Sequence, residues 1–145
     1  MKIITPATET DFDKYYRLRY DVLRAPWQQP RGSEIAPDDA TATHALMLNE
    51  ADDPIGVCRL HLPTPAEAQI RFMAIHPQYQ GQGLGKKILT YVEEKAREQG
   101  AQYITLQARE QAVPFYQRAG YRVVAKTHLL FGEIQHYQMR KDLIK

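Results

Sequence analysis

The sequence predicts a single α/β domain over residues 1–145, with a mixed, mostly antiparallel sheet of about six to seven strands, a central parallel pair and helices on both faces. The first observation is the order of the elements, βα, ββ, βα, βα, ββ. Strand–helix–strand connections favour a parallel pair, and hairpins at the flanks favour antiparallel pairs. The second is the composition, since 43% hydrophobic and 25% charged residues are typical of a globular domain that buries a core.

The N-terminal elements are a short strand and an amphipathic helix. Lys2 to Thr5 is predicted as the strand. Thr8 or Thr10 is placed to cap the helix, because its side-chain oxygen can accept a hydrogen bond from a free backbone N–H. Pro26 and Pro30 stop the helix. Its apolar side has helical spacing and consists of Phe12, Tyr15, Tyr16, Leu18, Tyr20, Val22 and Leu23.

A long irregular segment and a hairpin come next. Ala25 to Ala42 contains three prolines, and a loop of this length in a small domain is often functional. We therefore expect it to act as a lid over a bound ligand. His44 to Leu48 and Ile55 to Leu62 are predicted as strands, and the turn-forming residues Asn49 to Pro54 between them favour a hairpin.

The second half of the chain predicts two strand–helix units and a closing antiparallel pair. Apolar residues recur at helical spacing along the longer helix, and Gly100 ends it. In chain order the predicted elements are the strand Ala68 to Ile75, the helix Leu84 to Gln99, the strand Gln102 to Gln107, the short helix Gln111 to Arg118, and the strands Tyr121 to Ala125 and Ile134 to Arg140.

Charge, hydropathy and cysteine content disfavour several classes of protein. The net charge of +2, from 19 basic and 17 acidic residues, is too small to favour nucleic acid as the main partner. No run of 18 apolar residues exists, so no membrane span is expected, and the first six residues lack the apolar core of a signal peptide. The single cysteine, Cys58, fits a reducing compartment, so we expect a cytoplasmic protein. Five histidines are scattered without ligand spacing, so we expect no metal site.

The most informative stretch is the glycine-rich turn between the strand that ends at Ile75 and the helix that follows. Gly81, Gly83 and Gly85 alternate with other residues, and glycine lets the backbone approach a ligand closely. The free N–H groups at the start of the helix, together with its dipole, favour a phosphate. The turn therefore predicts that a phosphorylated cofactor binds here.

Two common phosphate-binding loops do not match this turn. A P-loop needs a hydroxyl residue after Gly-Lys, and Lys87 stands there. A dinucleotide-binding turn needs an acid at the end of the next strand. The strand Gln102 to Gln107 contains no acid, and the first one after it is Glu110. The turn instead matches the pattern Gln/Arg-x-x-Gly-x-Gly/Ala at Gln80, Gly83 and Gly85.

A second motif follows the next strand. Ala112, Phe115, Tyr116, Gly120 and Tyr121 match the pattern Asn-x-x-Ala-x-x-Phe-Tyr-x-x-x-Gly-Phe/Tyr. With both motifs in this order and spacing, the chain resembles the GNAT acyl-CoA N-acyltransferases over about its whole length. The resemblance implies the GNAT fold and direct transfer of an acetyl group from acetyl-CoA to a primary amine of a small molecule or a protein. Dimers are frequent in this family, so a homodimer is a further expectation.

The resemblance also implies where the cofactor binds. The strand ending at Ile75 would splay away from the strand ending at Gln107, and the pantetheine arm would insert into the gap like an extra strand. Lys86 and Lys87 would add charge near the pyrophosphate. The cofactor-binding residues implied in this way are Met73, Ala74, Ile75, Gln80, Gly81, Gln82, Gly83, Leu84, Gly85, Lys86, Arg109 and Ala112.

The resemblance assigns the catalytic role to Tyr116, whose phenol would stabilise or protonate the departing CoA thiolate. Two positions depart from the family pattern. Arg109 replaces an asparagine that commonly helps to hold the pantetheine arm, so either the contact changes or Arg109 turns to solvent, with Glu110 as a candidate partner. Gln69 stands where some members carry a glutamate base, and glutamine cannot act as a base.

The general base is therefore open. Histidine titrates near neutral pH and suits the task, and water is a further candidate. The candidate side chains are Glu67, His136, Glu133, His44 and His61.

Other functions also stay open. A CoA-binding sensor or interaction module would keep the fold without efficient catalysis. The departures from the family pattern at Gln69 and Arg109 are compatible with this alternative, whereas the presence of Tyr116 argues against it. A nucleotide-binding regulatory domain is disfavoured by the two loop mismatches. The acceptor amine and the length of the acyl chain are not fixed by the sequence. An arginine group hints at an acceptor with an anionic part, and it consists of Arg17, Arg19, Arg24 and Arg31.

Overall fold

The computed structural model describes residues 1–143, which contain a seven-stranded sheet and three α-helices. The strands are Lys2–Ile4 (β1), Thr43–Leu48 (β2), Pro54–His61 (β3), Glu67–Ile75 (β4), Tyr103–Arg109 (β5), Arg122–Leu130 (β6) and Ile134–Asp142 (β7). The helices are Glu9–Leu23 (α1), Leu84–Glu98 (α2) and Val113–Arg118 (α3). The strand order is β1-β2-β3-β4-β5-β7-β6, and β4 and β5 are the parallel pair. The predicted fold class is confirmed.

The two long helices pack on opposite faces of the sheet. Side chains of a strand alternate between its faces, so Leu46 and Leu48 of β2 pack with the α1 side chains while Met47 packs with the α2 side chains. Tyr15 of α1 and Ile88 of α2 are both fully buried. The sheet is therefore covered on both sides.

The helix ends follow the sequence closely. Thr8 caps α1, since its hydroxyl accepts from the Asp11 N–H at 3.1 Å and the Asp11 carboxylate accepts from the Thr8 N–H at 3.3 Å. The short helix α3 starts at Val113, after a 3₁₀ turn over Glu110–Ala112. Pro114 fits its first turn because that turn needs no N–H from it.

The parallel pair separates part of the way along its length. Pairing runs from Glu67 opposite Tyr103 to Ile70 opposite Leu106. From there β4 continues to Ile75 and β5 to Arg109 without pairing to each other. The predicted splay is thus present, and it opens a gap in the middle of the sheet.

The closing hairpin is longer than predicted. The strand expected over residues 121–125 runs over Arg122–Leu130, and nearly all of it is exposed. Its central residues, Lys126, Thr127 and His128, are polar and give no alternating pattern, so the sequence did not signal a strand. Within residues 1–143, no helix is long and apolar enough to cross a membrane.

Candidate active site

The long segment from Ala25 to Ala42 is anchored by a buried ionic cluster. The Arg19 guanidinium of α1 donates to Asp39 Oδ2 at 2.8 Å, and the Arg59 guanidinium of β3 donates to Asp39 Oδ1 at 2.9 Å and to Asp38 at 2.6 Å. Both guanidinium groups are fully buried. Burial alone would raise the pKa of Asp39, but the Ala36 N–H and the two guanidiniums outweigh it and lower that pKa to about 2. Arg19, grouped above with residues for an anionic ligand, therefore serves this internal cluster.

The gap between β4 and β5 opens into a cavity of about 580 Å³, which we call the glycine-loop cavity. It brings together most of the predicted cofactor residues: Met73, Ala74, Ile75, Gln80, Gly81, Gly83, Leu84, Gly85, Arg109 and Ala112. Gln82 and Lys86 are exposed and do not line it. The Gln82 amide instead lies 3.5 Å from the Gln78 carbonyl oxygen.

The glycine loop has the backbone of an anion site. Gly81 and Gly83 have φ angles of 79° and 77°, in the left-handed region that favours glycine, and a Cβ at either would meet open space. Gly83 is the residue before α2 and caps it with no side chain, and the first N–H bonded within the helix is that of Lys87, to Gly83 O at 3.4 Å. The N–H groups of the first helical turn are therefore free of helical partners. Gln80 closes the loop onto β4 by donating to Ile75 O at 3.2 Å.

Tyr116 lines the glycine-loop cavity. Its hydroxyl donates to the thioether sulfur of Met73 at 3.4 Å, and its ring makes edge contacts with Phe115 and Tyr121. The side chain is 8% exposed. Burial raises the pKa of the phenol above its ordinary value, so the hydroxyl stays protonated at neutral pH.

A second cavity, of about 240 Å³, adjoins the first, and we call it the arginine cavity. It shares a boundary with the glycine-loop cavity that consists of Leu23, Met73, Arg109, Ala112 and Tyr116. Arg24, Arg71, His128 and His136 also line it. The Tyr116 phenol thus stands where the two cavities meet.

His136 is the candidate base that lies in this cavity. Its Nδ1 is 3.0 Å from Ile134 O, and because a carbonyl oxygen only accepts, this bond assigns the hydrogen to Nδ1 and leaves the lone pair on Nε2. The ring stacks on His128, with centroids 4.3 Å apart. Burial first, and then the His128 and Arg109 charges, lower the pKa of His136, so it is neutral at neutral pH.

The other candidate bases lie outside both cavities. Glu67 accepts from Thr105 Oγ1 at 2.7 Å where β4 and β5 are still paired. His44 lies in the ionic cluster, with ring nitrogens 2.8 Å from the Tyr15 hydroxyl and from Asp39 O. The remaining two, His61 beside Asp38 and the exposed Glu133 in the β6–β7 turn, line neither cavity.

Arg109 is half-buried and does not turn to solvent. Its guanidinium carbon lies 4.6 Å from the centre of the Trp27 ring. The expected pairing with Glu110 is wrong, because the Glu110 carboxylate accepts from the Tyr137 hydroxyl at 3.0 Å. Burial, and then the Arg24 charge, lower the pKa of Arg109.

The sequence reasoning missed two residues that line the arginine cavity, Arg71 and His128, and it missed the contact of Trp27 with Arg109. Arg71 carries a detectable signal, since it is a charged residue within an apolar strand, between Ile70 and Phe72. His128 and Trp27 lie in segments whose conformation depends on distant partners, so they carry no local signal. Among residues 1–143, no group of three or more His, Cys, Asp or Glu side chains is placed to hold a metal ion. Cys58 is fully buried, and burial raises the pKa of its thiol to about 12.

Comparison with known proteins gives one family. A family model described as an acetyltransferase (GNAT) domain matches residues 28–143. A Bacillus subtilis (strain 168) protein named "Uncharacterized N-acetyltransferase YjcF" is 27% identical over 142 residues, which cover 98% of this chain and 100% of the relative.

Solved structures agree with this match. A Lactobacillus plantarum chain described as a "putative N-acetyltransferase" is 26% identical with a TM-score of 0.87, covering 99% of this chain and 98% of its own. A GNAT family acetyltransferase from Elizabethkingia anophelis, solved with acetyl-CoA bound, has a TM-score of 0.81 at 17% identity, with 98% of this chain and 97% of that chain covered. At that identity the second likeness shows the fold.

Proposed function

The chain belongs to the GNAT acetyltransferase family, and we propose that it transfers an acetyl group directly from acetyl-CoA to a primary amine of a small molecule. The observation that carries the proposal is the meeting of two cavities at Tyr116. A two-substrate transfer needs one site for each substrate and a point where they touch. The arginine cavity, at about 240 Å³, suits a small acceptor.

The glycine-loop cavity fits the CoA part of the donor. The open space beside Gly81 and Gly83 and the uncapped start of α2 suit a pyrophosphate. The stretch of β4 from Met73 to Ile75, which pairs with β3 but not with β5, offers the backbone groups on its β5 side to a pantetheine arm. The acetyl-CoA bound in the Elizabethkingia anophelis acetyltransferase supports the same choice of donor.

Acetyl-CoA supplies an activated acyl group, so that a carbon–nitrogen bond forms at the thioester carbonyl while the carbon–sulfur bond breaks. Tyr116 is placed to donate a hydrogen bond to the sulfur as negative charge develops on it. A thiol has a pKa of about 8.5, and burial puts the pKa of the Tyr116 phenol above its own ordinary value of 10.0. Complete proton transfer from the phenol is therefore uphill, and Tyr116 acts as a hydrogen-bond donor.

The acceptor amine must lose a proton before or during its attack. His136 Nε2 is the neutral acceptor that the arginine cavity offers, and Nδ1 is held by Ile134 O. We assign to it the role of general base, which passes the proton on to solvent. In this arrangement Tyr116 stabilises the leaving group and His136 accepts the proton of the nucleophile.

Binding of the donor is tested by calorimetry with acetyl-CoA, CoA and ATP. We expect acetyl-CoA and CoA to bind with a Kd in the micromolar range and ATP not to bind. Gly83→Val should abolish that binding, since it fills the open space and strains a left-handed residue. Gly100→Val is the matched control, because Gly100 has φ 86° and equally open surroundings at the other end of α2.

Turnover is tested by free-thiol release over a panel of primary amines. Acetyl-CoA binding with no turnover on any amine would favour the CoA-binding sensor or interaction module. Absence of acetyl-CoA binding would refute the proposed function altogether. Equal loss of binding in Gly83→Val and Gly100→Val would refute the assignment of the glycine loop.

A further inference from the structure

The arginine cavity carries positive charge that the fold does not neutralise. Arg24, Arg71 and Arg109 line it, and the residues around them include no Asp or Glu. Within residues 1–143, none of the three forms an ion pair. In contrast, the neighbouring Arg19 and Arg59 are paired with Asp38 and Asp39.

The three guanidiniums are close enough to oppose one another. Those of Arg24 and Arg71 lie 5.5 Å and 4.6 Å from the centre of the same Phe72 ring. Burial and then the Arg71 charge lower the pKa of Arg24, and burial and then the Arg24 charge lower the pKa of Arg109. Arginine nevertheless stays charged at any working pH. The cavity wall therefore holds repelling cations that an anion would stabilise.

The nearest acids are already used elsewhere. Glu34 attracts Arg24 through space, but its carboxylate accepts from the Gly32 N–H at 2.8 Å. Asp38 attracts Arg71 in the same way, but it pairs with Arg59 at 2.6 Å. These acids lower the local positive charge without filling the cavity.

The Arg24 guanidinium is held in place by two hydrogen bonds to backbone oxygens. Its Nε donates to Ser33 O at 3.1 Å and its Nη1 donates to Leu23 O at 3.0 Å. Two N–H donors thus fix the plane of the guanidinium. Because a guanidinium has five N–H donors in all, others remain for a ligand. Arg71 is exposed and makes no side-chain hydrogen bond with described residues, so all five of its N–H donors are free for a ligand.

We infer that the acceptor is a small amine that also carries an anionic oxygen group, a carboxylate or a phosphate, bound by Arg71 and Arg24 in the arginine cavity. This inference rests on the proposed acetyl transfer. A guanidinium binds both kinds of group in the same two-pronged way. With the anionic end held there, the amine lies on the side of Tyr116 and His136, which line the same cavity.

The test compares amines that differ only in the anionic group. Amino acids are paired with their carboxamides, ω-amino acids with alkylamines of the same length, and O-phosphoethanolamine with ethanolamine. Each is titrated into the CoA-loaded protein by calorimetry, and each is assayed for kcat/KM by thiol release. We expect at least one carboxylate or phosphate amine to exceed its neutral partner by about 10- to 150-fold, the range of a charge-assisted hydrogen-bonded pair.

Variants then locate the site. Arg71→Gln should reduce that preference to within about threefold of unity, because kcat/KM falls more for the charged partner than for the neutral one. Arg71→Lys should keep only part of it, because lysine keeps the charge without the fork. Arg24→Gln is the second variant, and Arg97→Gln on α2, which removes the same charge from an exposed pair with Glu94, is the matched control.

The outcomes separate the inference from the proposed function. Binding of an anionic amine without any turnover would support the anion-binding site and refute the acetyl transfer. Equal binding and kcat/KM for charged and neutral partners, or no binding of any anionic amine, would overturn the inference even if neutral amines are acetylated. A preference unaffected by both Arg71→Gln and Arg24→Gln would overturn it as well. Whether carboxylates or phosphates bind better identifies the group.

Discussion

Replacing Tyr116 with phenylalanine removes one oxygen atom where the two cavities meet. In the structure this hydroxyl donates only to the thioether sulfur of Met73, a weak acceptor, so its loss should change stability by less than about 1 kcal/mol. In the transition state the same hydroxyl would face a developing thiolate, and a hydrogen bond to a charged group contributes about 1.5–3 kcal/mol. At 1.36 kcal/mol per tenfold change, that energy corresponds to a loss of about 10- to 150-fold in the chemical rate.

The assay is thiol release under single-turnover conditions with saturating acetyl-CoA, together with calorimetry of CoA binding. Tyr116→Phe should lower the rate by this factor and leave the Kd within about twofold. Tyr121→Phe is the matched control, because Tyr121 is also buried but its hydroxyl donates to Glu93 at 2.7 Å, away from both cavities. Glu93 keeps its ion pair with Lys141, so that control should fold and turn over normally.

Three results would refute the reasoning on Tyr116. An unchanged single-turnover rate would mean that another group or water stabilises the thiolate. A loss in Tyr121→Phe as large as in Tyr116→Phe would mean that both changes act through packing of the aromatic cluster. A loss far above 150-fold would contradict the argument that no complete proton transfer occurs.

Two further changes test the base and the ionic cluster. His136→Gln should lower kcat/KM by about 100-fold and abolish the acid limb of the pH profile of kcat/KM, since in the wild type kcat/KM falls as pH drops through the lowered His136 pKa, below 6.5. His61→Gln, which lies outside the cavity, should keep that limb. An acid limb retained in His136→Gln would exclude His136 as the base. Asp39→Asn removes the counter-ion of two fully buried guanidiniums and should lower the free energy of unfolding, measured in urea, by about 3–5 kcal/mol. Asp38→Asn is the control, and because its side chain is 43% exposed the loss should be about 1 kcal/mol. Equal losses would contradict the assignment of Asp39 as the main counter-ion of the cluster. The sign for Asp39 follows from its pKa of about 2: its stabilisation is complete above the ordinary value of 3.8 and is lost as pH falls through about 2.

The sequence was sufficient where the signal is local. The glycine turn, the cap at Thr8 and the two long helices depend on residues close in the chain, and all lie where they were predicted. The glycine-loop cavity could be predicted for the same reason, because one loop and the adjoining strand end supply most of it. The arginine cavity could not, since Arg24, Arg71 and His136 come from three distant elements.

The decisive feature of the site is a one-residue irregularity in β4 that no local pattern reveals. The register against β3 shifts between Val57 and Arg59, and Phe72 has φ 56°. Without the shift, Ile70, Phe72 and Ala74 would share one face of the sheet. With it, Ile70 packs on the α2 side whereas Phe72 and Ala74 pack on the α1 side.

This bulge explains how one strand serves both cavities. An extra residue bends a strand and ends regular pairing, and β4 separates from β5 at the same level. Arg71 and Phe72 then line the arginine cavity, while Ala74 and Ile75 line the glycine-loop cavity, with Met73 in both. A left-handed conformation at a phenylalanine costs about 1–3 kcal/mol, so the surrounding contacts must offset it. Four guanidiniums, from Arg19, Arg24, Arg59 and Arg71, lie within 5.5 Å of the centre of the Phe72 ring, so the strained residue of the strand is also the one around which the charge of the cavity gathers.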